Sequence, residues 1–209
     1  MYTPPFNRAD DEDELRELVA AVRVGWLVTS RAGAAPAATL LPLVWRGDSV
    51  VAHFAKANSH WREIEDDTPA LFIVTGPDAY VSPSWYPAKA EHGKVVPTWN
   101  YSAVHLTGTA RVHDDPQWLR AAVTDLTHQH EGPRDEPWHV SDAPDAYIDG
   151  QLRGIVGVEL TVTGVEGKAK LSQNRSDADR EGVIDGLRSE GRPGDLGVAE
   201  AMGTALSRE

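Results

Sequence analysis

The stretch GKVVPTWNYSAVHLTG, residues 93–108, is unusual for a surface strand because neither of its faces is typical of solvent exposure. Successive side chains of a β-strand point to opposite faces. One face carries an aromatic and apolar set: Val95, Trp99, Tyr101, Ala103 and His105. The other carries a polar set that becomes apolar: Val96, Thr98, Asn100, Ser102, Val104 and Leu106. We therefore expect this strand to meet a specific partner on each face.

Short segments on both sides of this stretch are also predicted to be strands. They are rich in β-branched residues and are separated by turn sequences such as RAGAAP and RGD, a pattern typical of hairpins. The segments are VGWLVTS (24–30), AATLLPLVW (37–45), SVVAHFAK (49–56), ALFIVTGPDAYVSPSW (70–85) and GIVGVELTVTGVEGKAKLS (154–172). With the opening strand, extended to about His113, they predict a small antiparallel barrel of roughly six strands.

Helical signals lie at the ends and edges of these strands. Apolar residues recur at helical spacing, and capping residues precede two of the helical segments: Asp114 or Asp115 in one, and Ser176 in the other. The predicted helices span about 10–23, 59–66, 116–132, 144–152 and 176–191. Strands and helices in this arrangement predict an α+β fold. We expect one domain over residues 1–190, followed by a C-terminal helical tail over residues 191–209.

Composition limits the classes of function. The chain has 209 residues, enough for one well-packed domain, and no cysteine, which excludes disulfides and thiolate metal sites. No signal peptide or membrane-spanning apolar run is visible, so we expect a cytoplasmic protein without a membrane partner. The net charge of −12, from 32 acidic and 20 basic residues, opposes binding to nucleic acid.

The segment HFAKANSHW, residues 53–61, is a candidate anion site. His53 and Lys56 stand at the end of a predicted strand, and Asn58 can cap the next helix. A lysine beside the free N–H groups of a helix N-terminus suits a phosphate. The alternative is a surface lysine next to an ordinary helix cap, and the spacing alone favours that alternative.

The segment KLSQNR, residues 170–175, is a second candidate. Its glutamine and asparagine can form hydrogen bonds with a planar heterocycle, and Arg175 can stack on a ring or bind a phosphate. Loops before helices are often polar for solvation alone, so that alternative stays open. The aromatic and lysine-rich segment YVSPSWYPAKAEHGK, residues 80–94, could likewise stack on a ring or form a packed loop.

Other kinds of site lack a sequence signal. His128 and His130 are two positions apart and have no carboxylate at metal-ligand spacing, so we expect no metal site. The sequence shows no Ser, His and Asp arrangement, no phosphate-binding glycine loop and no dinucleotide fingerprint. The catalytic residues, if the protein is an enzyme, are unknown from sequence.

Six segments, in chain order, resemble the PaiB family, described as FMN-binding negative transcriptional regulators. They are MYTPPFNRADDEDELRELV, LLPLVW, HFAKANSHW, AYVSPSWYP, GKVVPTWNYSAVHLTG and EGKAKLSQNRSDADREGV. The resemblance implies FMN as the cofactor and a six-stranded antiparallel split β-barrel with peripheral helices. It also implies a homodimer that holds two flavins at its interface. Two positions depart from the family pattern: Thr39 replaces an expected histidine, and Ser59 replaces a common proline.

The resemblance also implies roles for particular residues. The strand residues Thr39, Leu40 and Leu41 would offer backbone groups to the polar edge of the flavin ring. The phosphate would be held by His53, Lys56 and Asn58. The interface would be lined by Trp99, Asn100 and Tyr101. The site would be closed, from the same or from the other subunit, by Lys170, Gln173 and Arg175.

Three functional classes remain open from sequence. The first is a repressor that senses flavin or redox state and binds DNA through an undetermined surface. The second is a flavin-dependent oxidoreductase that acts on a small molecule, since the flavin itself carries the redox chemistry. The third is a flavin or heterocycle binding protein without catalysis. The two unlike faces of the opening strand favour a homodimer over a monomer in which the helix at 116–130 covers the aromatic face.

Overall fold

The computed structural model describes residues 1–207, which form seven β-strands and six α-helices. The strands are β1 (Arg8–Ala9), β2 (Val24–Thr29), β3 (Ala37–Arg46), β4 (Ser49–Ala55), β5 (Thr68–Val81), β6 (Thr98–His113) and β7 (Ile155–Lys170). The helices are α1 (Glu12–Val22), α2 (Ala88–His92), α3 (Pro116–Glu131), α4 (Asp145–Leu152), α5 (Asp177–Glu190) and α6 (Pro193–Ser207). Within residues 1–207, none of the helices is both long and apolar enough to cross a membrane.

The strands form one sheet in the order β1-β7-β4-β3-β2-β5-β6, and β6 also pairs with β7. The six long strands therefore close on themselves, and the two-residue β1 adds to β7. The pairings of β2 with β3 and β5, and of β4 with β3 and β7, are antiparallel. These features confirm the predicted α+β fold, an antiparallel six-stranded barrel with peripheral helices.

The chain divides into two compact units, each treated separately below. The first unit consists of residues 1–11, 75–104 and 166–209, and the second of residues 12–74 and 105–165. Each of β5, β6 and β7 contributes residues to both.

The core of the first unit is built largely by α5 and α6. Val198, Ala199 and Met202 of α6 are buried in the same cluster as Val183 and Leu187 of α5. Residues 193–207 of the predicted tail are thus helical and packed, whereas residues 208 and 209 lie outside the described part of the chain. A domain boundary at residue 190 stays a prediction.

The second unit contains β2, β3 and β4, with α3 packed against β3 and β4. Gly157 of β7 lets α3 lie close to the sheet, because a Cβ there would lie 2.1 Å from Cζ3 of Trp118 in α3. The Trp118 ring stacks on His113 with centroids 4.0 Å apart and planes 6° apart. A glycine on the strand therefore lets an aromatic ring of the helix lie directly on the sheet.

Helix ends follow the predicted capping chemistry. Asp115 Oδ1 accepts a hydrogen bond from Trp118 N at 2.8 Å, and Ser176 Oγ accepts one from Asp179 N at 3.3 Å. Gly191 ends α5 with φ of 64°, a left-handed conformation that costs glycine no Cβ clash. These caps confirm the predicted start of α3 and both ends of α5.

Three predicted elements differ from the structure. The predicted strand at 70–85 ends at Val81, and Pro83–Trp85 forms a 3-10 turn. The predicted strand at 93–108 begins at Thr98, because Gly93 ends α2 in the left-handed conformation and Pro97 has no N–H for a ladder. The predicted helix at 59–66 is only a 3-10 turn, His60–Glu63. On β6 the polar side is the inward one: Asn100 is fully buried, whereas Trp99 is 49% exposed.

Candidate functional site

The edge of β3 is open over residues 37–42. β3 pairs with β4 only over residues 43–46, whereas its pairing with β2 covers residues 37–42. The N–H of Leu43 donates to Arg23 O, 3.0 Å away on the β2 side, and alternate residues of a strand direct their backbone groups to opposite neighbours. The N–H and C=O of Leu40 therefore face away from β2, on a side where no paired strand lies among residues 1–207. We call residues 37–42 the open edge of β3.

A polar cluster in the second unit includes one residue of this edge. Thr39 Oγ1 lies 2.8 Å from His60 Nδ1 and 3.5 Å from Asn58 Nδ2. The other ring nitrogen of His60 lies 2.9 Å from Thr29 Oγ1, and Asn58 Oδ1 accepts from the N–H of His60 at 2.9 Å. Burial lowers the pKa of His60, although Glu63 opposes this shift. The structure therefore brings Thr39 and Asn58, two predicted site residues, together around the buried His60.

His53 and Lys56 have other surroundings in the second unit. Lys56 Nζ donates to both carboxylate oxygens of Asp114, at 2.9 and 3.1 Å. Nδ1 of His53 is buried without a hydrogen-bond partner among the described residues, and burial lowers the pKa of this histidine. Lys56 already has a counter-ion, and the role of these two residues in phosphate binding stays a prediction.

The outer face of β2, β3 and β5 is apolar and partly uncovered. Trp26 and Leu40 are 44% and 48% exposed and stand opposite each other in the β2–β3 pairing. Ile73 of β5 is the other cross-strand partner of Trp26, whereas Leu41 points into the core and is buried. We call this surface the outer apolar face; it consists of Trp26, Val28, Ala38, Leu40, Leu71 and Ile73.

The first unit contains a cavity of about 290 Å³. The N-terminal segment, the start of β6, and the end of β7 with the loop that follows it supply most of its walls. Lys168, Lys170 and Arg175 line it. Lys168 Nζ donates to Tyr2 O at 3.0 Å, and Lys170 Nζ donates to Trp99 O. We call this the cationic cavity.

Buried polar groups form part of the wall of the cationic cavity. The Nδ2 of the fully buried Asn100 donates to Ser172 Oγ at 3.0 Å. The guanidinium of Arg175 lies over the Tyr86 ring, 4.9 Å from its centroid. The Tyr86 hydroxyl is buried and has no hydrogen-bond partner among the described residues. The cavity thus combines three cationic side chains with the buried hydroxyl of Tyr86.

Three predicted residues of the first unit do not line the cationic cavity. Trp99 Nε1 donates to Asp78 Oδ1 at 2.8 Å. Gln173 bonds to backbone atoms of its own turn. The Tyr101 ring lies 5.1 Å from Lys168 Nζ. Of the six residues predicted in this unit, the lining set contains Asn100, Lys170 and Arg175.

Three residues of these clusters are absent from the site predicted from sequence. Lys168 had a signal, because it stands two positions before Lys170 on one strand and therefore points to the same face. Tyr86 was noted only as part of an aromatic loop, and nothing in the sequence shows that its hydroxyl is unpaired. His60 follows a helix-cap pattern, which gives no sign that the ring is buried.

Comparison with known proteins identifies the family. Residues 1–164 match the family described as "Putative FMN-binding domain". The chain is 33% identical over 213 residues to the protein named Protease synthase and sporulation protein PAI 2 of Bacillus subtilis strain 168, and the alignment covers 100% of both chains. Both matches agree with the resemblance found in the sequence.

Solved structures share the fold at low sequence identity. One is the FAD and heme binding protein from Mycobacterium smegmatis, with a TM-score of 0.59, 18% identity, and coverage of 83% of this chain and 78% of that one. Another is the flavocytochrome Anf3 from Azotobacter vinelandii, with a TM-score of 0.56, 14% identity, and coverage of 78% and 69%. At these identities, the two similarities show a shared fold and nothing about function.

The residues present fit FMN in two respects. The open edge of β3 offers unpaired backbone donors and acceptors, which match the polar edge of a flavin ring. The cationic cavity offers lysine and arginine donors, which match a phosphate. When bound, FMN supplies one- and two-electron redox chemistry. FMN is the cofactor of this family, and the chain belongs to the PaiB family of FMN-binding split-barrel proteins.

Proposed function

We propose that the protein is a flavin-sensing negative regulator of transcription that holds the FMN ring against the open edge of β3. The observation that carries the flavin site is the separation of β3 from β4 over residues 37–42, before their pairing begins at Leu43. It leaves the N–H and C=O of Leu40 unpaired on a side where a planar heterocycle can bond to both. Backbone groups held in a sheet are rigid, so they read a flat ligand at little cost in conformational entropy.

The remaining predicted residues extend this proposed site. Thr39 and Asn58, held by His60, lie beside the open edge of β3 in the second unit. His53 and Lys56 are one candidate for holding the flavin phosphate, although the ion pair of Lys56 with Asp114 must open for that role, and the cationic cavity is the other. In the first unit, the closing role of Lys170, Gln173 and Arg175 is retained from the family resemblance. Of the residues predicted to line an interface there, Trp99 is half-exposed, whereas Asn100 is buried.

The test of the ring site is a pair of substitutions at one position. Leu40→Pro removes the N–H on the open edge, whereas Leu40→Ala removes more of the side chain but keeps the N–H. Proline is tolerated on a strand edge where no ladder bond is made. We expect Leu40→Pro to weaken binding of both FMN and riboflavin by roughly tenfold, the value of one hydrogen bond, and Leu40→Ala to bind like the parent. Equal flavin affinity in both variants, with circular dichroism showing both folded, would place the ring elsewhere.

The regulatory role rests on family membership and is limited by charge. The net charge of −12 opposes the phosphate-driven part of DNA affinity. The helices α5 and α6 are themselves acidic, with Asp177, Asp179 and Asp195 in their first turns. We therefore propose that the protein contacts DNA weakly, through a local patch, or acts through another protein. A DNA shift assay with a range of salt concentrations tests this, and tight sequence-specific binding at physiological salt would contradict it.

A flavin-dependent oxidoreductase is the second candidate, and the cationic cavity is the observation that favours it, because a small anionic substrate fits such a site. Turnover of NADH or NADPH with the purified holoprotein would establish this activity. Flavin binding without turnover and without DNA binding would leave a flavin-binding protein without catalysis.

We also propose that two copies of the chain associate through the outer apolar face. Trp26 and Leu40 are large apolar side chains, 44% and 48% exposed, on adjacent strands. Contiguous apolar patches of this kind on a folded protein mark interfaces. A second copy fits best because a symmetric interface would place the same face against itself. The absence of cysteine supports a cytoplasmic location for this dimer.

A further inference from the structure

The cationic cavity holds positive charge that no carboxylate balances. None of Lys168, Lys170 and Arg175 forms an ion pair within residues 1–207. Burial, and then the charge of Lys168, lower the pKa of Lys170. Lys168 is buried and Lys170 and Arg175 are half-buried, so three cations without an ion pair are costly in this cavity unless an anion binds there.

An independent observation in the same cavity is the Tyr86 hydroxyl. Tyr86 is 2% exposed, and its hydroxyl has no hydrogen-bond partner among the described residues. Burial raises the pKa of Tyr86, which favours the protonated hydroxyl as a donor, whereas interactions with Ser172 and Arg175 lower it. Ser172 and Arg175 both line the cavity, so the hydroxyl stands at the cavity wall. A buried donor without a well-aligned acceptor is destabilising, and a bound anion would supply that acceptor.

The backbone of this wall is also strained. Ser172 has φ of 64°, a left-handed conformation that non-glycine residues rarely adopt. Its hydroxyl is held by the buried Asn100, whose Nδ2 donates to Ser172 Oγ at 3.0 Å. Strain that surrounding contacts maintain is common at ligand sites.

We propose that the cationic cavity binds the phosphate or carboxylate group of a small molecule, and that Tyr86 and Lys168 act as donors with Lys170 and Arg175. The volume of about 290 Å³ is near the lower end of the roughly 300–1,000 Å³ typical of small-molecule sites. It suits a charged head group with one ring, and the exposed side chains of Tyr2 and Phe6 give the cavity an aromatic rim. The group belongs either to bound FMN, in which case the inference rests on the proposed function, or to a separate aromatic anion.

Calorimetric titrations of the full chain with three probes separate these sources. The probes are FMN, riboflavin, which has the same ring without the phosphate, and phenyl phosphate. The variants are Tyr86→Phe and Lys168→Met. The controls are Tyr80→Phe and Lys94→Met, which make the same changes at exposed positions of the first unit that do not line the cavity.

We expect each cavity variant to bind the relevant anion at least roughly tenfold more weakly, and each control to bind like the parent. Weaker FMN binding with unchanged riboflavin binding identifies the flavin phosphate as the ligand. Weaker phenyl phosphate binding with unchanged FMN binding identifies a separate anion. Either result supports the site.

The inference is overturned if Tyr86→Phe and Lys168→Met bind FMN and phenyl phosphate as tightly as the parent. Loss of fold does not explain weaker binding in Tyr86→Phe, because removing an unpaired buried hydroxyl should leave the melting temperature unchanged or higher. Failure of the proposed ring site has a different signature, since riboflavin binding would then be unaffected by Leu40→Pro.

Discussion

Thr39 connects two parts of the second unit through a single hydroxyl, which lies 2.8 Å from His60 Nδ1. Thr39→Val keeps the shape of the side chain but leaves a nitrogen of a buried histidine without its partner. We expect the free energy of unfolding to fall by about 1–3 kcal/mol in urea denaturation. Thr39→Ser, which retains the hydroxyl, should lose clearly less. Equal stability of the valine variant and the parent would show that the hydrogen bond is unimportant.

His53 and His60 predict a dependence of stability on pH. Burial lowers the pKa of both histidines in the folded chain, whereas the unfolded chain keeps the ordinary value of about 6.5. As pH falls through 6.5, the unfolded state takes up protons that the folded state does not. Stability is therefore present above that pH and decreases below it, by at most about 1.4 kcal/mol per pH unit for each histidine.

Urea denaturation at pH 5, 6 and 7 measures this dependence. His53→Gln, which removes one of the two groups, should give a shallower loss of stability between pH 7 and pH 5 than the parent shows. A parent whose stability is constant or increases on acidification over this range would contradict the lowered pKa values.

At the residue scale, the sequence predicts part of the candidate site because positively charged side chains just before a capped helix are typical of anion sites. Lys170 and Arg175, selected for their charges before a capped helix, do line a cavity. Tyr86 could not be selected, because the lack of a hydrogen-bond partner is a property of the packed structure. Lys56 shows the converse, since a lysine suited to an anion is paired with Asp114, 58 positions further along the chain.

Glycines within helices decide how elements of the first unit pack. A Cβ at Gly186 of α5 would lie 2.3 Å from Cδ2 of Trp85, whereas a Cβ at Gly203 of α6 would meet nothing within 4 Å. We expect Gly186→Ala to lower the free energy of unfolding by about 1–3 kcal/mol through overpacking. Gly203→Ala should raise it by about 0.5–1 kcal/mol, because alanine loses less backbone entropy in a helix.

Thermal denaturation of the two glycine variants gives the comparison directly, since both changes add one methyl group to a helix. If Gly186→Ala were as stable as Gly203→Ala, Trp85 would have room to move, and the close packing of α5 against Trp85 would not contribute to the free energy of unfolding.

At the scale of elements, the sequence predicts most strands and helices because local chemistry and tertiary structure agree. Asp115 and Ser176 cap their helices as expected, and β2, β3 and β4 begin where predicted. The predicted strand at 93–108 starts five residues too early, because alternation alone does not weigh the left-handed Gly93 or the missing N–H of Pro97. The open edge of β3 could not be predicted from the sequence, because it depends on β4 pairing with β7 along its length and with β3 only over residues 43–46.

At the scale of the whole molecule, the outer apolar face predicts the state of association. Leu40→Glu places a charge at its centre, next to Trp26, and should convert the proposed dimer to a monomer in light scattering at low micromolar concentration. Leu196→Glu makes the same change at a leucine of α6 that is 53% exposed, and should leave the association state unchanged. A parent protein that is monomeric at this concentration would exclude the dimer.

The open edge of β3 also bears on the survival of the protein when flavin is scarce. An unpaired strand edge is a template onto which another chain can add a strand, and this is a common route to aggregation. Pro42 withholds one donor at this edge, and a bound ring would occupy part of the rest. Chains that fold without flavin would keep this unpaired strand edge and would be the first to aggregate or be degraded. The supply of flavin would therefore control how much of the newly made protein persists.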